Sequence, residues 1–301
     1  MQCLRIGINK HSEDVVQYIA NELQNLKNKK INFSIDENDY GDSTSIVLCS
    51  VDEEKGAGKK SDKSYDALRM HVANALADYI IRKYEDKIVE KIINTNYCYF
   101  NSVEKKEILT KAYKIIRNED KNFLNSLFQI RRRNIIIKKL LEYFEASDTM
   151  VLDGFVNFRL KDYRKDLEEL VDKAVDEFLM EREYKEFIRL LRYFVEIQEP
   201  RFSVIHVLNT FDNKYILMDE KKQEITNECI RDFISEVSEG EINFDDLLVS
   251  SLITHAPRKI VIHCSEQFKN KELLETIKNV FPGKVVICTG CDLCVYTGIK
   301  H

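Results

Sequence analysis

An α+β fold, predominantly helical, with a central helical bundle flanked by an N-terminal β-α-β-β segment and a C-terminal α/β unit, follows from three observations. Apolar residues recur at three- and four-residue steps through the middle of the chain, and short β-type runs sit at both ends. Nine glycines and three prolines in 301 residues leave little room for a loop-rich scaffold. A length of 301 residues corresponds to about two domains on the usual ~150-residue scale. The pattern divides the chain into an N-terminal α/β segment (1–51), a linker (52–66), a helical bundle (67–199) and a C-terminal α/β unit (200–301).

The N-terminal segment opens with the β-type run Cys3-Leu-Arg-Ile-Gly-Ile8, and a helix follows from Ser12, with Glu13 and Asp14 suited to its first turn. Ile31, Phe33 and Ile35 alternate with polar residues, and Ser45 to Cys49 forms a second β-type run. Residues 52–66 (DEEKGAGKKSDKSYD) lack apolar periodicity, which marks a linker. A phosphate-loop reading of Lys55 to Ser61 fails, because Glu53 and Lys60 occupy the places of the first glycine and of the Ser or Thr after the lysine.

From Ala67 to Asn94, Leu68, Val72, Leu76, Tyr79, Ile80, Tyr84, Ile88 and Ile92 form a helical stripe. Further helices are expected over about 103–117 and 121–144. Asp153 is the expected cap of the longest helix, whose stripe runs Val156, Leu160, Tyr163, Leu167, Leu170, Ala174 and Phe178, then on toward Phe187, Leu191 and Phe194. Such stripes must bury against one another.

Pro200 stops the helices, and residues 202–208 and 214–218 read as a hairpin. Thr226 and Asn243 are candidate caps, and Pro257 ends the second of those helices. Arg258 to Cys264 reads as a buried strand, Asn270 to Asn279 as a helix, and Lys284 to Cys288 as a second strand after the Pro282-Gly283 turn. This is a β-α-β unit.

The chemistry concentrates in Cys288-Thr-Gly-Cys291-Asp-Leu-Cys294. Thiolates are soft metal ligands and nucleophiles, and two-residue gaps let neighbouring sulfurs converge on one centre. In a β-α-β crossover with neighbouring strands, the carboxyl ends lie about 5 Å apart, so Cys264 is the expected fourth donor. His263 and His301 are its substitutes. Zinc is the metal that the set Cys264, Cys288, Cys291 and Cys294 favours, with Gly290 allowing a tight turn between sulfurs. An iron–sulfur cluster fits less well, since Gly298 and Ile299 stand where a ferredoxin-type run has its fourth cysteine and proline. Two other readings stay open: ordinary reduced cysteines, or a redox pair drawn from Cys288, Cys291 and Cys294.

Net charge of −5 gives no global attraction for phosphate backbones or anionic lipids. No apolar run approaches the ~20 residues of a membrane span, and the N-terminus lacks a secretory leader, so a cytosolic protein with reduced thiols is expected. Arg131, Arg132, Arg133, Lys138 and Lys139 raise an RNA-binding alternative, against which stands a solvated helix face. Asp166, Glu169, Asp172, Asp176 and Glu177, interspersed with basic residues, read as a surface acidic face. No nucleophile, base and orienting acid can be assembled from six scattered histidines.

The blocks Leu152-Asp-Gly-Phe-Val-Asn-Phe-Arg-Leu-Lys-Asp-Tyr163, running on through Phe187 to Phe194, and Val286-Ile-Cys-Thr-Gly-Cys-Asp-Leu-Cys294 resemble the YtxC-like family of sporulation proteins. The resemblance covers most of residues 65–301. It implies a cytosolic protein of an endospore-forming bacterium, in a family without an assigned reaction or catalytic residues. The resulting expectation is a non-enzymatic structural or regulatory protein that acts with a protein partner and holds zinc at its C-terminal cysteines.

Overall fold

A computed structural model describes residues 2–9, 14–27, 33–40, 44–51, 58–117, 123–209, 214–226 and 243–296. The chain is predominantly helical with two small mixed sheets, an α+β fold as the sequence predicts. It divides into two compact units, Met1–Leu179 and Met180–His301, each with its own apolar core.

In the first unit, β1 (Gln2–Asn9), β2 (Phe33–Tyr40), β3 (Thr44–Val51) and β4 (Thr149–Val151) form a sheet in the order β2-β3-β1-β4. Alternation buries Leu4, Ile6 and Ile8 of β1 and Val47 and Cys49 of β3. Helix α1 (Asp14–Lys27) buries Val15, Ile19 and Leu23, one residue per turn. Ser12, the expected cap of this helix, lies outside the described residues. β2 runs past the expected Ile35 to Tyr40 because β3 pairs with its full length. Its acidic residues Asp36, Glu37 and Asp39 suit an edge strand. β4 was not foreseen: three residues are too few to show a period, and its parallel pairing to β1 fixes it.

The helices of this unit are α2 (Gly58–Lys83), α3 (Glu85–Asn96), α4 (Ser102–Arg117), α5 (Phe123–Ala146), α6 (Leu152–Phe158) and the first half of α7 (Lys161–Ile197). The described part of the stretch expected as a linker belongs to α2, from Gly58 onward. The single helix expected over 67–94 is interrupted only at Tyr84, across which backbone bonds Tyr84 N–H to Ile80 O and Ile88 N–H to Tyr84 O continue at 2.9 Å. Asp153 does not cap the longest helix. It lies in the first turn of α6 and accepts the Tyr84 hydroxyl at 2.7 Å. The stripe from Val156 through Tyr163 to Phe178 is buried throughout, as its period requires.

The basic stretch of α5 is a solvated face only in part: Arg131 and Lys138 are exposed, but Arg132 is buried and all three arginines are paired. Arg131 donates to Asp166 at 2.9 Å and Arg133 to Asp78 at 2.8 Å. Arg132 is buried with its Nε 3.3 Å from a carboxylate oxygen of Glu85, while its Nη2 donates to the Ile116 carbonyl at 3.1 Å. Tyr163 donates to the same Glu85 carboxylate at 2.7 Å. Burial pushes the Glu85 carboxyl up, against the opposing pull of Arg132 and Tyr163. Asp166 likewise departs from the expected surface acidic face, since it is buried under Arg131.

In the second unit, β5 (Val204–Asn209), β6 (Tyr215–Met218), β7 (Lys259–His263) and β8 (Val285–Ile287) form a sheet in the order β6-β5-β7-β8. β5 and β6 are the expected antiparallel pair, while β5–β7 and β7–β8 are parallel. Helices α8 (Phe244–His255) and α9 (Lys271–Val280) pack into this unit's core. Asn243 and Asn270 cap them by accepting backbone N–H groups of Asp245 and Leu273 at 3.0 and 3.1 Å. Ala256 adopts a left-handed conformation that ends α8 just before Pro257. The residues after Thr226 that it was expected to cap lie outside the described residues, and its hydroxyl accepts the Leu217 N–H at 3.0 Å.

The buried ion pair gives a stability test. Glu85→Ala leaves Arg132 charged and uncompensated, so the first unit should lose about 3–5 kcal/mol in urea denaturation followed by circular dichroism. The double change Glu85→Ala, Arg132→Met should recover part of this loss. A single-variant loss below ~1 kcal/mol would show that the guanidinium is not desolvated by folding.

Candidate metal centre

Strand alternation sets the first donor. Ile260 and Ile262 of β7 enter the core with no exposure, so Val261 and His263 take the opposite face. On β5, His206 pairs with Val261 and Leu208 with His263, which puts both imidazoles on one face a single pleat apart. His206 Nδ1 lies 2.9 Å from His263 Nε2. His263 therefore presents Nδ1 to the other side.

There it meets the cysteines. β8 ends at Ile287, and the Cys288 N–H donates to the Ile262 carbonyl at 2.8 Å, holding Cys288 beside the end of β7. Gly290 then turns at φ 130, which a side chain would strain, and its N–H donates to Cys288 Sγ at 3.4 Å. Cys294 N–H donates to the Cys291 carbonyl at 2.9 Å as the short helix α10 (Asp292–Tyr296) begins. This i,i+3 relation brings Cys291 and Cys294 to one side of the turn.

His263 Nδ1 is 3.4 Å from Cys291 Sγ and 3.5 Å from Cys294 Sγ. Cys294 Sγ is 3.8 Å from both Cys291 Sγ and Cys288 Sγ. All four donor atoms lie within 4.8 Å of one another, a group that could hold a metal ion. A tetrahedral zinc ion with bonds of about 2.3 Å to sulfur and about 2.0–2.1 Å to nitrogen requires sulfurs about 3.8 Å apart and sulfur–nitrogen separations near 3.5 Å. Four of the donor separations meet that geometry.

Cys264 stands outside this group of four. The expected strand ends one residue earlier, at His263, and Cys264 takes a left-handed conformation (φ 52) that opens the 3₁₀ turn Ser265–Gln267. It thereby leaves the alternation of β7. Its thiol still hydrogen-bonds with Cys294. His301 lies outside the described residues. The sequence signal for His263 was the alternation of Ile260, Ile262 and the core, which leaves residue 263 on the face of His206.

Local electrostatics favour the ligating forms of Cys294 and His263 but not of Cys288. Burial pushes the Cys294 thiol up, but hydrogen bonds from the Cys291 backbone and from the thiols of Cys264, Cys288 and Cys291 outweigh it and hold it below the ordinary thiol value. At Cys288 the Gly290 N–H pulls downward, while burial and the sulfurs of Cys291 and Cys294 push the thiol above that value. Burial, together with His206 and Lys222, depresses the His263 pKa, and neutral imidazole is the ligating form. With Nδ1 as ligand, Nε2 carries the proton and donates to His206, the type of outer contact that orients a metal-bound histidine.

A family model described as the YtxC-like family matches residues 70–286, most of the chain. The chain belongs to the YtxC-like family. The match takes in both His206 and His263 of this YtxC-like chain and stops before Cys288. One relative, named "Uncharacterized protein YtxC" from Bacillus subtilis (strain 168), is 26% identical over 215 residues, covering 70% of this chain and 73% of its own. No solved structure matches this YtxC-like protein. Among its described residues, no helix is long and apolar enough to cross a membrane.

If His206 orients the His263 ring, His206→Phe should weaken zinc binding by about 10–100-fold in competition with a chromophoric chelator, without loss of stoichiometry. An unchanged affinity would reduce the His206 contact to packing.

Proposed function

We propose that this protein is a non-enzymatic structural or regulatory protein of sporulation, cytosolic, with a Cys3His zinc centre that fastens its C-terminal segment to the second sheet. The observation that carries the zinc reading is the agreement of four donor separations, two of 3.8 Å between sulfurs and two of 3.4–3.5 Å from sulfur to nitrogen, with a tetrahedral ion. The ligands are His263, Cys288, Cys291 and Cys294, with Cys264 as a hydrogen-bonding neighbour of Cys294. Four protein donors complete the coordination of zinc, which is the hallmark of a structural rather than a catalytic site. The sporulation setting rests on the resemblance of the Leu152–Tyr163 and Val286–Cys294 blocks to the YtxC-like family.

A second reading, thiol redox chemistry at Cys291 and Cys294, draws support from their 3.8 Å sulfur separation and the depressed Cys294 thiol. RNA binding through Arg131–Lys139 draws less, since Arg131, Arg132 and Arg133 each pair with a carboxylate of the same chain.

Elemental analysis of protein purified without chelator should find about one zinc per chain. The variant Cys288→Ser, Cys291→Ser, Cys294→Ser should hold none, and Cys264→Ser should keep it. Equal, near-zero metal in the wild type and the triple variant would sink the zinc reading. A reversible disulfide within the triplet in metal-free protein, mapped by mass spectrometry after mild oxidation, would then favour the redox one.

A further inference from the structure

Beyond Phe178 the apolar stripe of α7 divides: Leu191 packs against the second unit's core, whereas Phe187 and Phe194 stay exposed. Seven large apolar side chains between Met180 and Ile197 are 43–64% exposed. On the opposite side of this helical segment, Ile188 and Val195 are buried in the second unit's core, and Tyr184 reaches Thr276 of α9 at 3.2 Å. Met180, Glu183, Phe187, Leu190, Phe194 and Ile197 follow one another at steps of three and four residues. That is the a/d seam of a coiled coil over about five turns, roughly 27 Å of helix.

The seam itself selects its partner. In a parallel pair of copies, Glu183 would face Glu183, placing like charges in an apolar layer. In an antiparallel pair, a positions meet d positions of the other copy, and the spacing reads the same from either end. Phe187 then meets Leu190, Met180 meets Ile197, and Glu183 lies over Phe194. The flanking positions are complementary too, because Glu186 comes opposite Tyr193, whose hydroxyl can donate to its carboxylate. Exposed fractions near one half leave on the order of 100 Å² on each of the six large side chains other than Tyr184, so two copies bring roughly 1,200 Å² together, the lower end of the size of a specific interface.

We propose that the C-terminal half of α7, Met180–Ile197, pairs antiparallel with the same segment of a second copy, making the protein a two-fold homodimer. A two-fold pair makes each contact twice, so the central layer holds two Phe187–Leu190 contacts. This proposal is independent of the metal centre, whose residues lie on other elements.

Sedimentation of the full chain at micromolar concentration is the test. The wild type should run as a dimer. Phe187→Glu and Leu190→Lys should each raise the dimer dissociation constant on the order of 100-fold, with helicity by circular dichroism unchanged because both side chains are already about half exposed. Phe187→Glu combined with Leu190→Lys in one chain should restore the dimer, since antiparallel pairing sets each glutamate against a lysine of the other copy. A wild-type monomer at tens of micromolar overturns the proposal and assigns the face to another partner, and a dimer that survives both single changes overturns it as well. Loss of the dimer without rescue in the double variant overturns the antiparallel register.

Discussion

The parallel pairing of β5, β7 and β8 is the constraint on which the candidate centre depends. Register in a sheet has a period of two, so a slip of one residue would turn His263 into the core and Ile262 toward the cysteines. The register is held where it matters: Leu208 against His263, His206 against Val261, and Ile262 against Ile287. Burial of Ile260 and Ile262 fixes it thermodynamically, at roughly 1.5–3 kcal/mol for each side chain taken from water. The histidines and the first cysteine thus owe their proximity to apolar residues on the other face of the same strands.

A different constraint organises the first unit. Arg132, Glu85 and Tyr163 come from α5, α3 and α7 and meet in the interior, with Arg132 also bound to the last turn of α4 through Ile116. Four helices are tied at one polar point. Such a cluster contributes little net stability, because desolvation of two charges offsets most of their attraction. Its effect is on arrangement: helices that slid or rotated would leave a buried charge without its partner, at a cost of several kcal/mol. That is why an arginine-rich stretch serves the fold here, with Arg131 and Arg133 pinned to Asp166 and Asp78 on either side.

Much of this was legible in the residues, because the period of an apolar pattern is local information. The stripe from Val156 to Phe178, the hairpin of β5 and β6, and the caps Asn243 and Asn270 all follow from spacing and side-chain chemistry. What escaped depends on neighbours distant in sequence. β4 is strand only because β1 lies beside it, and Arg132 is buried only because Glu85 and Tyr163 receive it. The candidate site shows the same divide in miniature: the triplet Cys288, Cys291 and Cys294 is plain in the sequence, but the position of His263 among the close donors and of Cys264 beside them depends on where β7 ends. Cys264 leaves the strand in a left-handed turn, a conformation that sequence marks poorly at a residue other than glycine or asparagine.

The C-terminal segment shows why a centre of this kind would matter to the fold. β8 has three residues, half-buried at best, and α10 has five. A helix that short is not stable alone, since nucleation costs more than one turn of hydrogen bonds returns. The hydrogen bonds Cys288 N–H to Ile262 O and Ile260 N–H to Lys284 O dock the strand, while Cys291 and Cys294 meet His263 through sulfur and imidazole contacts. Three uncoordinated thiols and a neutral imidazole attract one another weakly. An ion at their centre would convert those contacts into bonds whose free energy would become folding free energy for the segment. His263 is anchored in β7 and backed by His206, whereas the three cysteines lie on the short C-terminal segment. An ion held by all four donors would thus join this segment to a strand already fixed in the sheet.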